Sequence, residues 1–365
     1  MLPLSVLDLT PVPAGSTDAD AIRNTIDLAR HADRLGYARY WVAEHHNTPG
    51  MACPAPPVMI GHIADATERI RVGSGGVMLP NHSPLHTAEA FRVLEALHPR
   101  RIDLGIGRAP GTDPTTAFAL RRGAPQEAGD FPNQLAELFA FAGGGFPDDH
   151  PFRTVRAEPA EVPLPPVWIL GSSDYGAQAA AAFGLGFAFA RHLNPRGAAD
   201  GMRLYRERFR PSAHRQTPYA ILTVSAICAD RQERAEELAL SLGLGVVRMR
   251  QGRPGKLPTP EEAAAHEWSE AESDQLRRYR RAQVLGTPTA VRDEIQELVR
   301  ETGADEVMVM TSVHDHAERL RSYELIADAF RLAPGAVAAS ELVSEWGTVA
   351  DSLQTVAGRR HRSGQ

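Results

Sequence analysis

"LSVLDLTPVP", residues 4–13, decides the fold. Leu4 to Leu9 is a short apolar run of strand length. It leaves through Thr10-Pro11-Val12-Pro13, not through a glycine-rich turn. An open, doubly wound sheet that holds a dinucleotide follows its first strand with G-x-G-x-x-G, because glycine lets the backbone approach the pyrophosphate. That turn is missing here. The other architecture that alternates strands and helices is the closed (β/α)8 barrel.

Outward from this stretch the alternation continues. Apolar runs recur at 39–45, 70–79, 102–107, 166–170, 186–191, 219–228 and 306–312. Helical patterns lie at 19–35, 57–68, 86–97, 133–142, 174–183, 196–209, 231–242, 288–302 and 316–331. Eight strands with intervening helices predict a (β/α)8 TIM barrel whose strands are buried on both faces. Gly36 and Gly184 suit helix C-terminal positions, and Asp315 with Glu318 marks the start of the last helix. The barrel domain is expected to span residues 1–334. Residues 243–285, which carry GRPGKLPTP, form an insertion near the seventh strand, expected to be a lid at the barrel mouth. Residues 335–365 read as a C-terminal helix and a polar tail.

Composition narrows the partners. Of 365 residues, 43% are hydrophobic and 23% charged, as in ordinary soluble globular proteins. A net charge of -6 gives no electrostatic reason to expect nucleic acid or an anionic membrane. The clusters Arg277-Arg278 with Arg280-Arg281, and Arg359-Arg360 with Arg362, are short and read as solvated surface. Cys53 and Cys228 have no metal-ligand spacing and fit a reducing compartment. No apolar run approaches the ~20 residues of a membrane helix, and the N-terminus lacks a signal-peptide pattern. A cytoplasmic protein is expected.

Barrel sites gather at the C-terminal ends of the strands. The second strand ends in Glu44-His45-His46, within "WVAEHHNTPG" (41–50), a set that suits metal binding, proton chemistry or a strand cap. Neighbouring strand residues point to opposite faces, so His45 and His46 cannot share one centre without a bend. His314 and His316 have a better spacing, but they flank a helix start that already explains Asp315. No converging metal-ligand set is expected.

"PPVWILGSSDYGAQAA" (165–180) is a strand, a small-residue turn and a helix start. Ser173 is either a helix cap or part of an anion site made with Gly171, Ser172 and the helix amides. Arg108, which ends the neighbouring strand after "LGIG", favours a phosphate monoester. Gly73, Gly75 and Gly76 interrupt the third strand, and Gly105 and Gly107 thin the fourth. They leave room for a flat ring or meet tight packing inside the barrel; both readings stand.

Together these stretches resemble the bacterial luciferase-like flavin-dependent monooxygenase family over about residues 2–331. The motifs are "YWVAEHHNTPG", "RIRVGSGGVMLPNHSPLHTAEAF", "HPRRIDLGIGRAPGTD", "VWILGSSDYGAQAAAAFGLGFAFA" and the closing "TGADEVMVM" with "HDHAERLRSYELIADAF". The resemblance is to its single-chain oxidoreductases, natural-product tailoring enzymes among them, rather than to light-emitting members. Those carry a cysteine where this chain has Gly107, which argues against luminescence. The resemblance implies reduced FMN or, in one branch, a deazaflavin. His45 matches the family's active-site histidine, and His46 follows it. Glu44, read from the residues themselves, is expected to be a buried orienting partner rather than a base. Arg108 matches the phosphate-binding arginine, and Gly171, Ser172, Ser173 and Gly176 the phosphate loop. Gly75-Gly76 matches a bulge under the flavin ring that carries a non-proline cis peptide. The implied reaction oxygenates a small organic substrate with O2 through a C4a-peroxyflavin, on FMNH2 from a separate flavin reductase, in a homodimer. A deazaflavin-dependent hydride transfer and a non-catalytic flavin-binding role stay open.

Overall fold

The computed structural model describes residues 2–122 and 130–335, so the expected tail at 335–365 lies, but for its first residue, outside the described residues. In chain order the elements are β1 (Leu4–Asp8), α1 (Asp18–Leu35), β2 (Arg39–Val42), α2 (Pro56–Ala66), β3 (Arg71–Ser74), β4 (Val77–Met78), α3 (Pro84–Leu97), β5 (Ile102–Gly107), α4 (Pro114–Arg121) and α5 (Phe131–Phe139). They continue as β6 (Val167–Gly171), α6 (Asp174–Phe183), β7 (Gly186–Ala190), α7 (Ala198–Arg208), β8 (Ala220–Cys228), α8 (Gln232–Arg250), α9 (Pro260–Ala265), α10 (Glu270–Arg280), β9 (Gln283–Gly286), α11 (Pro288–Thr302), β10 (Glu306–Met310) and α12 (His316–Phe330).

The strands close a parallel barrel in the order β1, β2, β3 with β4, β5, β6, β7, β8, β10 and back to β1. This is the expected eight-stranded TIM barrel, with the third strand broken in two at 75–76. All nine residues of β8 are buried, as both-face burial requires. An outer cluster joins Val6, Tyr40, Val42 and Leu222 to the helices. An inner cluster of Leu7, Trp41, Ala43, Trp168, Ala188, Ile221, Met308 and Met310 fills the barrel.

The floor of the barrel is ionic rather than aliphatic. Arg39 Nη1 donates to Asp103 at 2.8 Å and its Nε lies 3.1 Å from Glu306, while Arg71 Nη2 reaches Asp103 at 2.6 Å. Burial alone would raise the Asp103 carboxyl, but Arg71 and Arg39 more than offset it and hold it low. Charged residues begin β2, β3 and β10, and the sequence reading had left this layer out.

The segment 243–285 differs from the irregular insertion the sequence implies. Its first residues continue α8 to Arg250, and the remainder supplies α9, α10 and a ninth chain-order strand, β9. Gly243 does not end the helix. It makes room for α10, since a Cβ there would meet Leu276 Cδ1 at 2.5 Å. β9 extends the sheet beyond the barrel: Ser225–Cys228 of β8 pair with it, whereas Ile221–Ser225 pair with β10. No helix among the described residues is long and apolar enough to cross a membrane.

Candidate active site

Four strand ends build the site. After β2 the chain runs through Ala43 to Glu44, His45 and His46. Glu44 is enclosed and accepts hydrogen bonds from three directions: His46 Nε2 at 2.7 Å, His82 Nε2 at 2.8 Å and the Met78 N–H at 3.0 Å. Burial pushes its carboxyl up, but the bonds from His82, His46 and Met78 outweigh that and hold it below its ordinary value. Glu44 is therefore an anion at neutral pH that clamps β2 to the extension of the third strand.

This corrects the expectation that no histidine and acid set converges. Residues 44 and 46 share a face by alternation, and the turn after β4 adds His82, a residue 36 positions further on than His46. The three donor atoms lie within 4.8 Å of one another, and two imidazoles with one carboxylate are metal-ligand chemistry. As they stand, the three groups satisfy each other. His82 had drawn no role from sequence; its only signal was an Asn-His pair just past the third strand.

His45 stands apart from that clamp. Trp41 and Ala43 belong to the inner cluster, and alternation places His45 next on the same row, at the mouth. Its Nδ1 is buried without a hydrogen-bond partner among the described residues. Burial lowers the imidazole's pKa, opposed first by a hydrogen bond to the Ala43 backbone and then by the Glu44 charge, so the ring is neutral at physiological pH.

The Gly75-Gly76 peptide is cis, as the resemblance implies, and Gly75 N–H is held by Val42 O at 2.8 Å. The glycines themselves answer to packing. A Cβ on Gly75 would meet Leu7 Cδ1 at 2.5 Å, and one on Gly76 would meet Gly105 O at 2.8 Å. One on Gly105 would lie 2.0 Å from Ser74 O. Gly75 is bare because Leu7 of β1 and Trp41 of β2 press on it, and Gly76 and Gly105 because β3, β4 and β5 press together, which favours the packing account over free space for a ring. Gly107 follows the same rule: a Cβ would meet Met78 Sδ at 2.8 Å, so Met78 fills the space of the side chain that light-emitting relatives are expected to carry.

The last strand end is β6. Gly171 and Gly176 face each other so closely that a Cβ on either would lie 3.2 Å from the other's Cα, which seats α6 directly on the strand. Ser173 is the N-cap of α6, yet its side chain makes no capping bond. The Ser173 hydroxyl is thus not spent on capping, and among the described residues no side chain caps the first amides of the helix. The Ser172 carbonyl accepts from Asn194 Nδ2 at 2.8 Å, which fixes the turn. Arg108 is exposed, makes no ion pair among the described residues, and lies with its guanidinium carbon 4.0 Å over the ring of Tyr175 in the first turn of α6. Tyr175 was missed from sequence; it steers the cation to the helix N-terminus.

These residues fit a flavin mononucleotide. A bare helix N-terminus, free serine hydroxyls and a positioned guanidinium suit a phosphate monoester, and the ledge at 75–76 borders the same mouth.

Comparison with known proteins shows the family. A family model described as luciferase-like monooxygenase matches residues 2–306. A luciferase-like monooxygenase of Escherichia coli is 44% identical over 324 residues, covering 89% of this chain and 96% of its own. The solved structure of apo-MsnO8 is 39% identical, covers 92% of this chain and 100% of its own, and superposes with a TM-score of 0.83. At 17% identity and a TM-score of 0.66, the oxygenating constituent of 3,6-diketocamphane monooxygenase from Pseudomonas putida, solved with FMN, shares the fold across 91% of this chain and 98% of its own.

Proposed function

The chain belongs to the luciferase-like monooxygenase family, and from that premise we propose that it is a flavin-dependent monooxygenase acting with reduced FMN and O2 on a small organic substrate. The observation that carries the reading is the anion cradle of Arg108, Tyr175, Ser172, Ser173 and the Gly171–Gly176 contact, at the same barrel mouth as His45. Reduced FMN, when bound, supplies the two electrons by which one atom of O2 enters the substrate and the other leaves as water.

The chain's own residues hold, orient and exclude. Arg108 and the α6 N-terminus hold phosphate. The neutral His45 imidazole, with Nδ1 unpartnered, holds or moves a proton at the mouth. Glu44 fixes His46 and His82, and through Met78 it ties this group to the Gly107–Arg108 strand end. The insertion acts as a cover. Leu257 pairs with Val12 and Ala14, and Lys256 Nζ reaches Ser16 O at 2.6 Å, so it is pinned to the loop after β1. A separate flavin reductase and a second copy of this chain complete the reading.

The test is a titration with FMN and with deazaflavin, followed by single turnover of reduced FMN with 18O2 and a substrate panel. FMN binding and 18O in a product support the proposal. Binding of deazaflavin alone would move it to hydride transfer without O2, and tight FMN binding without turnover to a non-catalytic role.

A further inference from the structure

One wall of the mouth holds a polar set that the cradle and the histidines leave unused. Ile221 of β8 packs in the inner cluster, so Thr223 and Ser225 follow it on the inward row. Gln283 of β9 is the register partner of Ser225 and points to the same side, with Nε2 3.4 Å from Ser225 Oγ. Tyr279, at the end of α10, is in hydrogen-bond contact with the same hydroxyl. Gln283 is only 5% exposed, yet its Oε1 has no partner. Beside it, at the end of β7, His192 also buries an unpartnered Nδ1, while the neighbouring Arg191 N–H bonds Thr223 O. Burial pushes the His192 imidazole down to about 4 against an opposing hydrogen bond to the Thr223 backbone, so the ring is neutral and keeps one nitrogen lone pair. Above them Ile227 and Leu285 pack on Ala235 and Leu238 of α8, which shields the set from solvent.

A buried acceptor without a donor is costly unless a ligand completes it. A glutamine that merely bridged two strands would use both ends of its amide. In a closed ring of eight, β8, which carries Ser225, stands across from the third strand, which carries Gly75-Gly76. We propose that Gln283, with Ser225 and His192, is a specificity subsite that accepts hydrogen bonds from an N–H or O–H of the bound ligand. That donor is either the N3–H edge of the flavin or an amide or hydroxyl of the substrate. The proposal rests on the flavin-binding reading above for the first source and not for the second.

The test uses Gln283→Met, which removes the acceptor at similar length, and Gln283→Glu, which keeps one, each checked by its melting temperature. If the flavin is the donor, wild type binds FMN about 5–10-fold more tightly than 3-methyl-FMN; the gap closes in Gln283→Met and persists in Gln283→Glu. If the substrate is the donor, both flavins bind both proteins alike. Ligand-observed NMR then finds N-methylacetamide favoured over N,N-dimethylacetamide by wild type and Gln283→Glu, but not by Gln283→Met. Wild type and Gln283→Met treating both pairs identically would overturn the subsite. A wild type that binds no flavin overturns the flavin reading and leaves the amide comparison to decide.

Discussion

In the proposed reaction Arg108 and His45 would divide the work of the mouth between charge and proton. Arg108 owes its direction to Tyr175, and its interaction with a phosphate is charge-assisted, on the scale of ~1.5–3 kcal/mol. Arg108→Ala is expected to weaken FMN binding by roughly 10–100-fold and riboflavin binding much less; equal losses in two fluorescence titrations would remove the phosphate assignment. His45 follows Trp41 and Ala43 of the inner cluster by strand alternation. His45→Ala should leave FMN affinity within about twofold and slow product formation by ~10²–10⁴. Normal turnover by that variant would make the imidazole structural.

At the scale of elements, helix ends were legible because local chemistry sets them. Gly36 and Gly184 adopt the left-handed conformation, and Asp315 accepts from Glu318 N–H at 2.9 Å. What α3 does at its own end was not legible. Glu95, near that end, accepts from Arg100 N–H at 2.6 Å, while its other oxygen is buried without a partner. Burial raises its carboxyl to about 7. An acid raised in the fold binds its proton longer than the unfolded chain does, so stability should fall as pH rises from about 4.5 through about 7, by ~3 kcal/mol in total. Glu95→Gln keeps the acceptor for Arg100 and removes the charge. Urea titrations should find the variant more stable than wild type at pH 8 by ~1–3 kcal/mol and no more stable at pH 4.5; a parallel pH dependence of the two would refute the assignment.

For the whole molecule, the insertion and the outer surface matter most. Residues 251–256 are exposed, then Leu257 and Pro258 bury against the barrel. If the insertion covers the flavin, trypsin should cut first after Lys256, and FMN should slow that cut severalfold. Protection indifferent to FMN would make the segment a partner surface. On the opposite flank Val58 of α2 and Val93 and Leu97 of α3 are exposed at 73%, 48% and 66%. A homodimer would bury such a face. Light scattering should find Leu97→Asp monomeric and wild type dimeric; an unchanged mass would place the dimer elsewhere or exclude it.

The alternation of apolar runs and helices, read outward from residues 4–13, was enough to determine the barrel, because burying a parallel strand on both faces imposes a composition visible in any single strand. The motifs also placed His45, Arg108, Ser172 and Ser173 at strand ends, where the fold collects chemistry. Three-dimensional proximity decided the remainder. Whether Gly76 and Gly105 make space or fill it depends on how closely β4 meets β5. Whether His46 ligates, reacts or clamps depends on His82 arriving beside Glu44. β9 exists only because β8 is long enough to pair twice, first with β10 and then with residues the chain supplies more than fifty positions later. Contacts between residues so far apart leave no period in a sequence, since what selects each side chain is a neighbour that only folding provides.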